Sequence, residues 1–397
     1  MENQKSQRST ILFLCPSLAG AGVERRVCTL LKYLDQTNHR FFLGILRNQG
    51  QFIAQIADDQ IVFVEKPFWL KILLPRFAFF TNINIVIFGI YQIYKIIKKT
   101  KPELIVTFTL ETSFPTYFVK LLGKSDTIAW IISEDSNTAE AIVNSVEQPF
   151  LANIGLKIFS KMYHKADYIT SVSNSLKKSL KKGFNLPDQK INVIYNPVDI
   201  KHILSSINMA LTSPIEEQYL IAIGRLEKVK QYGLLLEAFA LVRKQKILKL
   251  VIVGEGSELD KLKSFSKQLE IAEHVMFVGF TENPWTYIMH AEALLLTSRQ
   301  EGFSIVIVES MIVGCPVIST RAGGPEEIIT HNQNGILVNQ DSREIAEQTI
   351  RLLENERMRQ NMVKEAQDQI TRFKPEHICP QISAMFDQML GQTTSRD

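Results

Sequence analysis

Cysteine is scarce in this chain: four residues in 397, Cys15, Cys28, Cys315 and Cys379, with no paired spacing. That excludes a disulfide framework and a cysteine-based zinc site, and makes a reducing cytoplasm the simplest setting. The histidines are equally scattered, so no metal site is expected. A long uninterrupted apolar run is also missing. Residues 77–94 carry no charge, but Thr81, Asn82, Asn84 and Gln92 interrupt them, and they fall short of a membrane-crossing helix. The first ten residues are polar, lack the apolar core of a signal peptide, and are expected to form a disordered arm. The basic residues are not interleaved with aromatics as a nucleic-acid surface would require, so no nucleic-acid partner is expected.

What is present is enough apolar material for two cores: 45% of the residues are hydrophobic, at a length that allows two to three domains. Charge is unevenly placed. Residues 1–200 hold 24 Lys plus Arg against 16 Asp plus Glu, leaving 21 against 25 in the remainder, a net +8 beside a net −4. A basic first half suits an anionic partner such as a lipid diphosphate at a membrane surface. Phe68, Trp69, Leu70, Ile72, Leu73 and Leu74, flanked by Lys66, Lys71 and Arg76, would either lie among lipid headgroups or pack inside the first domain.

The chemistry concentrates in the second half. Glu301 and Glu309 stand eight positions apart in Glu-Gly-Phe-Ser-Ile-Val-Ile-Val-Glu. The apolar run Leu294 to Leu296 predicts a buried strand before them, Gly302 and Ser304 a loosened and capped turn, and Gly314 with Pro316 the end of a helix begun near Phe303. Free backbone N–H groups and a positive dipole end at such a start favour a phosphate. Glu309 then lies about 9 Å along the axis, roughly the reach from a diphosphate to its ribose. Cations must accompany these carboxylates if a polyphosphate is to bind. Gly224-Arg225-Leu226-Glu227-Lys228-Val229-Lys230, after the strand-like Tyr219 to Ile223, offers Arg225 and Lys230 from a glycine turn. By itself that segment reads more readily as a solvated basic loop; its spacing and partners favour the anion site. Leu250 to Val253 predicts a third strand, turning through Gly254 and Gly256 into a helix capped by Ser257.

The order Gly-Arg-Leu…Lys, Gly-Glu-Gly, Glu-Gly-Phe-Ser…Glu and Gly323-Gly324-Pro325-Glu326 resembles the nucleotide-sugar domain of the retaining glycosyltransferases of family 4, closely from Tyr219 to Val338 and more loosely before it. The resemblance implies an α/β, GT-B architecture: two Rossmann-like parallel-sheet domains facing a central cleft, with no metal or cofactor. The implied division is an arm over 1–10, an acceptor-binding domain over 11–198, a nucleotide-sugar-binding domain over 199–374, and a helix over 375–397 packing back on the first domain. It gives Arg225 and Lys230 the donor diphosphate, with help from amides near Phe303 and Ser304. Glu309 would hold the ribose and Glu301 a hydroxyl of the transferred sugar, while Gly254, Gly256 and Gly302 line the donor site. The leaving phosphate would help take the acceptor proton on the same face, so that configuration is retained.

In the first half, Ile11 to Cys15 predicts a strand, and Ala19 to Arg25 leads into an amphipathic helix through Leu34. Arg25 occupies the place of the third glycine of a dinucleotide fingerprint, which disfavours an oxidoreductase. The resemblance turns Gly22 toward the cleft. Where family members carry a histidine, this chain has Glu134 or Asp135 at a strand end, either a carboxylate acting on the acceptor hydroxyl or a helix cap. Asn196-Pro197 resembles the family's interdomain crossing. The expected activity is transfer of a hexose or N-acetylhexosamine from a UDP-sugar to a glycan acceptor, lipid-linked, in surface polysaccharide synthesis at the inner face of the plasma membrane. The alternatives are an epimerase of the same fold and a non-catalytic sugar-nucleotide-binding scaffold.

Overall fold

In a computed structural model, residues 8–19, 22–65, 81–123, 127–145, 149–208 and 212–393 are described. The segment with Lys66, Trp69, Lys71 and Arg76, most of the polar arm, and Gly20 lie outside the described residues. The chain divides into two compact units, Met1–Pro197 with Pro375–Asp397, and Val198–Lys374. Each is a Rossmann-like α/β unit built on one parallel sheet.

The first unit has seven strands: β1 (Ser9–Cys15), β2 (His39–Ile45), β3 (Ile61–Phe63), β4 (Leu104–Thr107), β5 (Ala129–Glu134), β6 (Tyr168–Ser171) and β7 (Ile191–Val193). Their order is β3-β2-β1-β4-β5-β6-β7, every pair parallel. Both faces of the sheet are covered, which is why β4 and β5 run apolar without alternation up to Thr107 and to Ser133-Glu134 at their ends, and are buried at every residue. Phe13 on β1 meets Phe41, Phe108 and Phe386 edge-on, at 5.6, 5.2 and 6.2 Å between ring centroids. Phe386 belongs to the helix Pro375–Thr393, whose Ile378, Ile382 and Met389 join the same core. The end of the chain therefore completes the first unit.

The second unit has six strands: β8 (Tyr219–Ile223), β9 (Lys249–Val253), β10 (Val275–Gly279), β11 (Ala293–Leu296), β12 (Val317–Thr320) and β13 (Ile336–Val338). The order β10-β9-β8-β11-β12-β13 is again wholly parallel. Strand order reverses between β8 and β11, so the loops leaving these two strands diverge onto opposite faces and open a crevice at their carboxyl ends. In the first unit the reversal falls between β1 and β4.

Two caps differ from expectation. Ser304 precedes the helix Ile305–Val313 in a left-handed conformation, φ 82°, and its side chain makes no capping hydrogen bond. Ser257 is not a cap either, because the helix Leu259–Gln268 starts after Glu258, again without a side-chain cap. Gly314 does close the Ile305–Val313 helix, at φ 82°.

Candidate active site

The loops after β8 and β11 are sewn together at the reversal point of the second sheet. Arg299 N donates to Val229 O at 2.8 Å, and Thr297 Oγ1 donates to the carbonyls of Lys230 and Gln231 at 3.0 and 3.2 Å. Gln231 is left-handed, φ 48°, at the junction with the helix Tyr232–Arg243. Backbone held in so sparse a region persists only where its surroundings over-determine it. The stitching delivers Lys230 to Glu301: Lys230 Nζ is hydrogen-bonded to Glu301 Oε1, which also accepts from Ser298 Oγ at 2.7 Å. The two side chains retain 21% and 11% exposure, enough for a ligand to reach them. Tyr232 donates to Gly224 O at 3.1 Å, and burial, with Glu301 beside it, raises its phenol above the ordinary value.

The other expected residues of the second unit lie on the turns after β8, β9 and β11 and on the helix Ile305–Val313. Arg225 is two-thirds exposed and donates to Glu227 Oε1 at 2.9 Å. Gly254 has φ 141°, and a Cβ there would stand 2.1 Å from Gly224 O; at Gly256 it would stand 2.4 Å from Leu226 O. Only glycine allows the turn after β9 to lie this close to the turn after β8. Glu301 N donates to Ala322 O at 2.8 Å and its carbonyl accepts from Gly324 N at 3.0 Å, fixing the main chain on either side of Gly302. Phe303 is buried and edge-on to Phe373 at 5.3 Å, which anchors the entrance of the following nine-residue helix. Glu309, just past the first turn of that helix, is 3% exposed.

Residues that sequence reasoning missed are Thr297, Ser298 and Tyr232. The first two could have been found as polar residues terminating a continuous apolar strand.

In the first unit Gly22 opens the helix Gly22–Tyr33, which follows β1 at the reversal point. Glu134 lies inside the unit with both carboxyl oxygens hydrogen-bonded. It is 4% exposed, one oxygen accepts from Tyr163 OH and the other from Thr138 Oγ1 at 2.9 Å. Burial pushes its carboxyl up to about 7, opposed by those two hydrogen bonds. It caps nothing at a surface; it ties β5 to two helices from inside. Asp135 next to it receives Arg26 Nη1 at 2.9 and 3.0 Å, and the same nitrogen donates to Ser133 Oγ at 2.9 Å. Arg26 was also missed, since an arginine on the buried face of an amphipathic helix runs against the pattern that identifies the helix.

The family model described as Glycosyltransferase Family 4 matches residues 20–202, and that described as Glycosyl transferases group 1 matches residues 207–369. The chain is 27% identical over 373 residues to the N-acetylgalactosamine-N,N'-diacetylbacillosaminyl-diphospho-undecaprenol 4-alpha-N-acetylgalactosaminyltransferase of Campylobacter jejuni, across 90% of this chain and 93% of that protein. It is 30% identical over 232 residues to the N-acetyl-alpha-D-glucosaminyl L-malate synthase of Bacillus anthracis, across 57% of this chain and 61% of that protein. The crystal structure of Anabaena HepE in complex with UDP-glucose superimposes with a TM-score of 0.75 at 20% identity, over 96% of this chain and 99% of that one, and shares the fold. Two successive family matches over two Rossmann-like units make the chain a member of the family 4, group 1 glycosyltransferases, with the GT-B fold.

Proposed function

We propose that the protein is a retaining glycosyltransferase that moves a hexose or N-acetylhexosamine from a UDP-sugar to a lipid-linked glycan during surface polysaccharide assembly, working peripherally at the inner face of the plasma membrane. The observation that carries this reading is the Lys230–Glu301–Ser298 cluster at the carboxyl ends of β8 and β11. An ammonium has three donors, so Lys230 can keep Glu301 and still add a phosphate oxygen. The name of the Campylobacter relative includes a diphospho-undecaprenol acceptor, and the Anabaena structure holds UDP-glucose; both support the donor and acceptor classes.

In this mechanism Lys230 and the exposed Arg225 hold the donor diphosphate, and the amides at Phe303 and Ser304 add their dipole. Glu309 takes the ribose hydroxyls and Glu301 a hydroxyl of the sugar, while Gly254, Gly256 and Gly302 let the main chain lie close to the donor. The bond from the anomeric carbon to the diphosphate oxygen breaks, and both its electrons leave with UDP. Lys230 and Arg225 stabilise the charge that grows there. The acceptor oxygen bonds to the anomeric carbon on the face the diphosphate is leaving. Its proton passes to a phosphate oxygen of UDP, and the configuration is retained.

A panel of UDP-, GDP- and ADP-sugars tests this, with nucleotide release followed and the product anomer read by NMR. UDP release dependent on a lipid-linked acceptor, with a retained product, is the expected result. Release with no acceptor requirement, an inverted product, or transfer only to a small soluble hydroxy acid would remove the reading. Glu309→Ala should raise the nucleotide Kd while Lys230→Ala chiefly lowers kcat.

A further inference from the structure

We propose that the helical layer on the face of the first unit's sheet that carries Thr81–Thr100, Leu110–Leu121, Pro149–Lys165 and Asn174–Phe184 is a docking surface for an anionic lipid bilayer, an inference that rests on the lipid-linked acceptor read above. The connections from β3 onward all run toward the β7 edge, whereas β1 to β2 runs the other way. Right-handed crossovers therefore place the helices Thr81–Thr100, Leu110–Leu121, Pro149–Lys165 and Asn174–Phe184 on one face of the sheet, and Gly22–Tyr33 on the other. The four helices pack side by side in that order, and Pro375–Thr393 packs with Gly22–Tyr33.

Charge separates the two layers. The four helices carry eleven lysines, of which Lys120 is buried and Lys177 and Lys181 pair with Asp188, against a single acidic residue, Glu111, and the short helix Thr138–Ser145 packed beside two of them adds Glu140. The opposite pair, Gly22–Tyr33 and Pro375–Thr393, carries three basic and three acidic residues.

Exposed apolar side chains follow the same division. Among the described residues of the first unit, the large hydrophobics that stand exposed are Ile87, Leu121, Leu122, Val143, Ile154 and Ile158, and all belong to the basic layer. Leu121 and Leu122 are 54% and 66% exposed at the end of their helix. On Pro149–Lys165 the exposed Ile154, Lys157, Ile158 and Lys161 recur at intervals of three and four, one stripe mixing apolar and cationic groups. Along Thr81–Thr100, Lys95 and Lys98 lie over the rings of Tyr91 and Tyr94, at 5.7 and 5.3 Å.

A bilayer fits this chemistry better than a protein does. Lysine is depleted in protein–protein interfaces, which concentrate aromatic and arginine anchors. Juxtaposed lysines are drawn to anionic headgroups, and isolated apolar or tyrosine side chains insert at the level of the acyl boundary. No helix among the described residues is long and apolar enough to cross a membrane, so this layer would lie on the surface.

Flotation of the full chain with vesicles tests the proposal. Binding should occur to mixed phosphatidylglycerol and phosphatidylcholine vesicles at low salt, fade at high salt, and be absent with phosphatidylcholine alone. The double variants Lys157→Glu/Lys161→Glu and Ile154→Gln/Ile158→Gln should each weaken partition about tenfold or more. Lys261→Glu/Lys263→Glu, exposed lysines of the second unit, should leave it unchanged. Transfer to a water-soluble acceptor should be unaltered in every variant, which excludes misfolding as the cause. No binding to anionic vesicles, binding indifferent to the first two variants, or self-association that shields these side chains would overturn the proposal. Transfer to a lipid-linked acceptor in detergent, with no vesicle binding, would remove the docking face and leave the reaction intact. Vesicle binding with the expected losses would support the face even if no lipid-linked acceptor were glycosylated.

Discussion

Glu134→Gln should make the protein less sensitive to pH without stopping transfer. The carboxyl is held at about 7 by burial, against an ordinary value of 4.5. Between those values the folded chain keeps a proton that the unfolded chain has released, so stability falls as pH rises. The contribution is fully present below about 4.5 and lost as pH passes through 7. At 1.36 kcal/mol for each tenfold change in acidity, the loss comes to about 3 kcal/mol. Glutamine keeps the shape, stays neutral, accepts from Tyr163 through its oxygen and can donate to Thr138 Oγ1 through its nitrogen. Urea unfolding at pH 5 and pH 8.5 reads the effect: wild type should lose about 3 kcal/mol between the two, and the variant much less of it. Turnover at pH 8 should persist in the variant. A variant with the wild-type pH slope would refute the burial argument, and one with intact stability but abolished turnover would return Glu134 to catalysis.

Other perturbations follow from the same contacts. Arg26→Ala leaves Asp135 buried without its cation and should cost about 3–5 kcal/mol in denaturant unfolding; adding Asp135→Asn should restore part of that. Gly254→Ala places a methyl against Gly224 O and should cost about 3 kcal/mol or more, visible as a lower melting temperature. Lys230→Ala should lower kcat/KM by about 2–4 kcal/mol, roughly 30- to 1000-fold, with a far smaller effect on stability. Burial pushes the Cys28, Cys315 and Cys379 thiols up to about 12, so native protein should resist iodoacetamide at pH 8 and react only on unfolding.

The second unit was legible because its strands are continuous apolar runs ended by glycine or by polar residues. The run Tyr219 to Ile223 is β8 itself, and Leu294 to Leu296 lies within β11. That Lys230 and Glu301, 71 residues apart, belong to one site was implied only by the family's motif order, and their direct hydrogen bond was not legible at all. Local backbone detail was less legible. Ser304 and Ser257 have the composition of helix caps, but φ 82° at Ser304 is set by the buried Phe303 and the main-chain contacts beside Gly302, which no local propensity encodes. The surroundings of Glu134 were not legible because a strand-end carboxylate looks alike whether it faces solvent or the interior. Its partner Tyr163 lies 29 positions away on a helix whose polar interior residue gives no periodic signal.

The most direct test of the account is a crystal structure with a UDP-sugar bound. The diphosphate should lie within hydrogen-bond distance of Lys230 Nζ and Arg225, the ribose on Glu309, and a sugar hydroxyl on Glu301. A nucleotide seated elsewhere, or those four side chains turned away from it, would contradict the account.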